Sequence, residues 1–140
     1  AGRYKVAVAT DIGAVRESWL REVEGADVLL LEANHDEDTL KAGRYPYELK
    51  RRILGNRGHL SNDDAGAAAA ALARRGVRAI VLGHLSGENN FPELAQASVA
   101  CVLEEAGLKP GRDVMLSVAR RDGRGELFVL SEGDDAHAVG

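Results

Sequence analysis

Short apolar runs rich in β-branched residues alternate along this 140-residue chain with stretches of helical character. The runs typical of buried strands span residues 5–10, 26–31 and 77–82. Apolar residues at helical spacing, or a helix-start signal, mark residues 15–23, 45–54, 61–75 and 91–106. Because strands and helices alternate in this way, the sequence predicts an α/β architecture with helices covering one face of a sheet.

The last strands are predicted to form a hairpin. Residues 114–119 and 126–130 have strand character and flank a turn at Asp122 and Gly123. With this hairpin the sheet would be mixed. We expect one folded unit over residues 1–130 without an internal linker, followed by a loose tail over residues 131–140.

Composition excludes several classes of protein. No apolar run approaches the roughly 20 residues needed to cross a bilayer, and no basic-then-apolar leader opens the sequence. We therefore expect a cytoplasmic protein with no membrane partner. The formal net charge of −4 argues against a general electrostatic coating of nucleic acid. A single cysteine, Cys101, allows no internal disulfide, and its helical context predicts a buried thiol.

Three residues that can bind a metal or move a proton stand at the ends of predicted elements. Asp11 and His84 each directly follow an apolar run, and His59 directly precedes a helix start. The alternatives are a helix N-cap for Asp11, a backbone-bonded rim histidine for His84 and a surface loop for His59. Two ligands do not complete a catalytic metal centre, which usually takes at least three from the protein. His35 is a further candidate.

Other catalytic signatures are absent from the sequence. The histidines are too widely spaced for a zinc finger or an H-E-x-x-H motif. The chain has neither a Walker-type phosphate loop nor a G-x-S-x-G nucleophile elbow. A local metal motif, a P-loop nucleotidase and an α/β-type serine hydrolase are therefore disfavoured.

Five motifs taken together resemble a known family. They are residues 9–13 (ATDIG), 31–36 (LEANHD), 45–55 (YPYELKRRILG), 58–62 (GHLSN) and 84–90 (HLSGENN). In this order they resemble the second half of the metallo-β-lactamase-fold hydrolases, in particular the exonuclease-like bacterial branch associated with the WalKR (YycFG) operon. A looser similarity extends to ribonuclease Z. The resemblance implies one half of an αββα sandwich.

The resemblance also implies roles for individual residues. Asp11 would bridge two divalent ions, zinc or manganese, and His84 would bind one of them. His59 would contact the scissile phosphate or protonate the leaving oxygen, with Glu32 and His35 orienting it. Lys50, Arg51, Arg52 and Arg57 would contact the backbone of a nucleic acid, DNA rather than RNA.

The His-x-His-x-Asp-His ligand cluster of that family is missing from this chain. The chain begins at alanine, and we expect it to be the C-terminal part of a longer protein. A missing N-terminal half or a second copy would then cover the open face of the sheet, and the fragment alone would bind metal weakly or not at all. The alternatives are a non-catalytic binding or self-association module, and an ester or thioester hydrolase of the same fold.

Overall fold

The computed structural model describes residues 3–44, 46–54, 58–119, 127–129 and 137–139. The strands are β1 (Val6–Ala9), β2 (Val28–Glu32), β3 (Ala79–Gly83), β4 (Met115–Val118), β5 (Leu127–Val129) and β6 (His137–Val139). The helices are α1 (Glu17–Val23), α2 (Glu37–Ala42), α3 (Tyr47–Leu54), α4 (Asn62–Arg74) and α5 (Pro92–Glu105). The predicted α/β class is confirmed. The short helix α2 is an addition, since no helix was predicted between residues 31 and 45.

Strands β1 to β4 form one sheet in the spatial order β1-β2-β3-β4, and every neighbouring pair is parallel. Each strand therefore pairs with the strand that precedes it in the chain, and the sheet grows in one direction from β1 to β4. Because crossovers between parallel strands are almost always right-handed, such a series places its helices on one face of the sheet. The four strands therefore also end at a common edge.

The two faces of this sheet differ sharply in burial. On the helix-covered face, Leu29, Leu31, Ile80 and Leu82 are completely buried. The opposite face begins with Val6 and Val8 of β1, which alternate with the covered residues and are 70% and 61% exposed. Val6 and Val8 lie side by side on one face, and contiguous exposed apolar side chains of this kind often mark a surface that another protein segment covers.

Helices α4 and α5 pack tightly over the covered face. The alanine-rich α4 begins at the predicted cap, where the Ser61 hydroxyl oxygen accepts a hydrogen bond from the backbone N–H of Asp64 (3.1 Å). A Cβ added at Gly66 would lie 2.7 Å from Cβ of Val102 on α5. The small side chains of α4 thus allow the two helix backbones to approach closely.

Three predictions need correction. The four-stranded sheet is parallel rather than mixed, because each of its strands is reached by a helical crossover. The predicted hairpin is wrong: β4 pairs with β3, and β5 pairs antiparallel with β6, which lies within the segment expected to be loose. The turn residues Asp122 and Gly123 lie outside the described residues. Cys101 is exposed on α5 rather than buried.

Candidate metal centre

The carboxyl edge of the parallel sheet brings four chemically reactive side chains together. Glu32 is the last residue of β2, His84 follows β3 directly, and Asp11 lies two residues beyond β1. Clefts outside the carboxyl ends of parallel strands are the usual place for binding sites in α/β proteins. His59 lies in the segment before α4. This segment runs beside the end of β2, because the backbones of His35 and Ser61 form a parallel bridge there.

Two of these residues adopt an unusual backbone conformation. Asp11 and His84 both have φ of 57°, in the left-handed region that residues with a side chain rarely occupy. Such conformations cost roughly 1–3 kcal/mol and cluster at functional sites. The helix-cap interpretation of Asp11 is wrong, because α1 begins after Arg16.

A buried carboxylate lies at the centre of the group. Glu32 is completely buried, and its Oε2 lies 2.8 Å from Nδ1 of His59 and 2.6 Å from Nδ1 of His84. Its Oε1 accepts a hydrogen bond from the backbone N–H of Ile12 (3.2 Å). Since an ionised carboxylate only accepts hydrogen bonds, this network assigns the hydrogen of each imidazole to Nδ1. Nε2 of each ring is left as the nitrogen with a free lone pair.

Asp11 completes the cluster from its solvent-facing side. Its Oδ1 lies 3.7 Å from Nδ1 of His59 and 3.9 Å from Nδ1 of His84, and its side chain is 73% exposed. The two imidazole rings meet edge to face, with their centres 5.2 Å apart. The four residues Asp11, Glu32, His59 and His84 each offer a ligand atom within 4.8 Å of the others.

The chemistry of this donor set fits a divalent transition metal. Imidazole and carboxylate ligands suit zinc and manganese. Histidines that bind metals commonly donate their second ring N–H to a carboxylate, which fixes the tautomer and the direction of the ring. Glu32 makes this contact with both histidines at once.

Asn34 connects the segments that carry these side chains. Its side-chain amide donates a hydrogen bond to the backbone carbonyl of His84 (2.9 Å). Its backbone N–H donates to the carbonyl of Leu60 (2.9 Å), and its own carbonyl accepts from the backbone N–H of Ser86 (2.7 Å). Asn34, two residues after the end of β2, thus links the His59 segment to the His84 segment.

A pair of buried amides reinforces this connection. Nδ2 of Asn62 donates to Oδ1 of Asn90 (3.0 Å), and Nδ2 of Asn90 donates to Oδ1 of Asn62 (2.8 Å) and to the carbonyl of Ala33 (2.9 Å). These hydrogen bonds tie the starts of α4 and α5 to the end of β2. The sequence analysis gave Asn34, Asn62 and Asn90 no role. The available signal was that each of them lies in a motif that also contains a candidate site residue.

His35 lies in this amide layer and not in the four-residue cluster. It is 1% exposed, and its Nδ1 contacts Oδ1 of Asn34 (3.3 Å). Burial lowers the pKa of His35, with Glu37 opposing the shift. In the described part of the structure, the imidazole of His35 thus contacts the side chain of Asn34 and not that of His59.

The basic residues of the third motif, Lys50, Arg51 and Arg52, lie on α3. Lys50 donates through Nζ to the backbone carbonyl of Lys41 on α2 (2.8 Å). Cζ of Arg51 lies 5.9 Å from the ring centre of Tyr47. Arg52 belongs to α3, and Arg57 lies outside the described residues. Lys50 and Arg51 are not members of the Asp11–Glu32–His59–His84 cluster.

Two named relatives align with most of the length of this chain. The chain is 44% identical over 107 residues to the exodeoxyribonuclease YycJ of Bacillus anthracis. It is 44% identical over 104 residues to the exodeoxyribonuclease WalJ of Streptococcus pneumoniae. The chain is a homologue of these proteins. The matched stretches cover 76% and 74% of this chain, but only 40% and 39% of the relatives' lengths.

No family model matches the chain, and no solved structure matches it significantly. Among the described residues, no helix has the length and apolar character required to span a bilayer.

Proposed function

We propose that this chain supplies one side of a divalent-metal site in a hydrolase that cleaves the phosphodiester bonds of DNA. The observation that carries the proposal is the pair of imidazoles anchored to one buried carboxylate, with Asp11 beside them. The homologues named exodeoxyribonucleases support a nuclease activity and DNA as the substrate.

In this proposal each member of the cluster has a separate task. Asp11, the most exposed of the four, and His84, through Nε2, would hold the divalent metal ions. Glu32 holds both rings through Nδ1 and leaves their Nε2 atoms directed away from it. Divalent ions held there would supply a water of lowered pKa and would neutralise charge on the phosphate.

His59 is the proton donor of this proposed site. With Nδ1–H donated to Glu32, its Nε2 can carry a second proton and deliver it to the leaving oxygen of the phosphodiester. The buried carboxylate of Glu32 stabilises the cationic imidazole while it holds that proton. Lys50, Arg51, Arg52 and Arg57 contact the phosphates of the DNA backbone, which adds affinity but no sequence recognition.

The remaining metal ligands come from outside this chain. The matched stretch spans about 40% of the relatives' lengths, so most of such a protein lies beyond it. We propose that this remainder has the ligand-bearing half of a metallo-β-lactamase fold and covers the open sheet face around Val6 and Val8. The exposure of these valines also favours the alternative of a self-association module.

The test uses the complete protein that carries this chain, loaded with zinc or manganese and assayed on end-labelled DNA, RNA and a thioester. We expect Asp11→Ala to abolish DNA cleavage and most metal binding. His59→Ala should lower turnover about 100-fold or more while the metal content stays unchanged. Asp38→Ala, an exposed carboxylate on α2, is the matched control and should behave like the wild type.

Two results would contradict the proposal. Loss of metal from the His59→Ala protein would make His59 a ligand rather than a proton donor. The second result has two parts: the chain forms stable homo-oligomers, and its metal binding and activity do not change when the rest of the protein is present. This result would support the self-association module instead.

A further inference from the structure

Helix α3 exposes an aromatic ring that the proposed hydrolytic mechanism does not use. Tyr47, its first residue, is 73% exposed, more than any other large apolar side chain in the described part of the chain. Tyrosine offers a flat apolar face, and such rings are often exposed where a protein binds a partner.

Two positively charged side chains lie on the same side of this helix as the ring. Arg51 lies one helical turn further on, with its guanidinium carbon 5.9 Å from the ring centre of Tyr47. Lys50, three residues after Tyr47, projects from the same side of the helix. Its Nζ is held by the backbone carbonyl of Lys41 (2.8 Å), which fixes this charge between α2 and α3. One helical surface therefore combines an aromatic face, a guanidinium plane and an ammonium group.

This combination matches the chemistry of an unpaired nucleotide. Nucleobases that are not in a duplex stack on aromatic rings and on guanidinium planes, and the adjoining phosphates are attracted to lysine and arginine. A base inside a duplex already stacks on its neighbours, so its face is not available to Tyr47. The surface therefore favours single-stranded over double-stranded nucleic acid.

The distance to the candidate metal centre suits a short strand. Tyr47 and Leu54 are seven residues apart on α3, about 10 Å along the helix axis. Leu54 and His59 are five residues apart, which limits their Cα separation to about 18 Å. Tyr47 thus lies within about 28 Å of His59, which about eight stacked nucleotides would span at roughly 3.4 Å each.

We propose that Tyr47, with Arg51 and Lys50, forms a stacking site for an unpaired base, and that the enzyme therefore takes single-stranded DNA ends in preference to blunt duplex. This inference rests on the proposed function for the identity of the polymer. The site holds the strand and takes no part in the bond cleavage.

The experiment measures binding apart from cleavage. The complete protein is titrated, with EDTA present, against fluorescein-labelled dT12 and against a blunt 12-base-pair duplex. Tyr47→Ala should weaken binding of dT12 by about 5- to 150-fold, the range found for loss of one stacked base, and change duplex binding less than twofold. Tyr47→Phe keeps the ring and should bind like the wild type.

Salt dependence separates stacking from charge. Lys50→Ala should reduce the slope of log K against log salt concentration by about 0.7, the value for one phosphate contact on a single strand. Tyr47→Ala should leave that slope unchanged. Two matched controls should leave dT12 affinity unchanged: Arg21→Ala, an exposed arginine on α1, and Tyr4→Ala, an exposed tyrosine before β1 at the opposite edge of the sheet.

The inference fails if Tyr47→Ala binds dT12 like the wild type, or loses affinity equally for dT12 and the duplex. It also fails if the wild-type protein does not bind dT12. Cleavage of DNA by the metal-loaded wild type is scored separately. A protein that cleaves DNA but is insensitive to Tyr47→Ala overturns only the stacking site, and one that binds dT12 as expected but cleaves nothing overturns only the proposed function.

Discussion

Replacement of Glu32 by glutamine tests the structural centre of the candidate site. The substitution keeps the size of a completely buried side chain and removes its charge. At present Oε2 accepts hydrogen bonds from both imidazoles, at 2.8 and 2.6 Å. If the glutamine oxygen takes the place of Oε2, its NH2 group faces the backbone N–H of Ile12, which now donates to Oε1, and two donors meet. If the amide is turned over, its NH2 group faces both Nδ1 atoms, which must then accept.

The expected loss follows from these two hydrogen bonds. A hydrogen bond to a charged group contributes about 1.5–3 kcal/mol, so about 6 kcal/mol is an upper bound for the pair. The side chains of His59 and His84 are 35% and 44% exposed, so water replaces part of the lost interaction. Loss of such an outer partner typically weakens metal binding about 10- to 100-fold, or about 1.4–2.7 kcal/mol, which lies well below the bound.

Folding stability should respond much less than metal affinity. Glu32→Gln leaves neutral imidazoles in contact with an amide and creates no unpaired buried charge. We therefore expect the free energy of unfolding of the metal-free protein to change by less than about 1 kcal/mol. A change in metal affinity without a comparable change in stability would identify Glu32 as a residue that orients the site.

The assay is competition with a chromophoric zinc chelator, using the complete protein. Nitrogen-15 NMR of the histidine side chains adds an independent measurement, because the wild type should show both rings protonated at Nδ1 and the variant should show a mixture of tautomers. Glu37→Gln, on the first turn of α2, is the matched control. The reasoning is refuted if zinc affinity of the Glu32→Gln protein stays within threefold of the wild type and both tautomers are unchanged.

Three further substitutions probe the frame around the site. Gly66→Ala should lower the free energy of unfolding by about 1–3 kcal/mol in urea denaturation, because the new methyl group meets Cβ of Val102 and outweighs the gain in helix propensity; an unchanged midpoint would contradict the close packing of α4 on α5. Burial lowers the pKa of His35, so the unfolded chain binds more protons and stability should fall as the pH drops below about 6.5. His35→Gln should flatten this fall, as measured by thermal unfolding between pH 5 and 8, and an identical pH profile would rule out His35 as its source. Asn34→Leu removes the hydrogen bond to the carbonyl of His84 and should weaken zinc binding about tenfold in the chelator assay; unaltered affinity would show that His84 is held by other contacts.

Local pattern was enough to predict most of the elements. The apolar runs became β1, β2 and β3, and Ser61 caps α4 as its sequence predicted. Helix α2 was missed because its six residues include only one buried apolar residue, Leu40, which gives no detectable periodicity. The hairpin was wrong because the choice of strand partner depends on the rest of the sheet, while turn residues describe only the local chain.

The sequence by itself determined that Asp11 and His84 follow apolar strands, and parallel strands end at one edge by general rules of topology. That is why candidate ligands could be named before any coordinates. It equally determined the helical periodicity and the cap that start α4. These features depend on neighbours in the chain, which a single sequence displays directly.

Only the tertiary structure decided what Glu32 does. The hydrogen bonds that give it a central position join residues 27 and 52 positions apart in the chain, and the one from Asn34 to His84 spans 50. Such contacts depend on the register of β2 against β3, where Glu32 pairs with Gly83. A shift of one residue would turn the Glu32 side chain to the other face of the sheet, because side chains alternate along a strand.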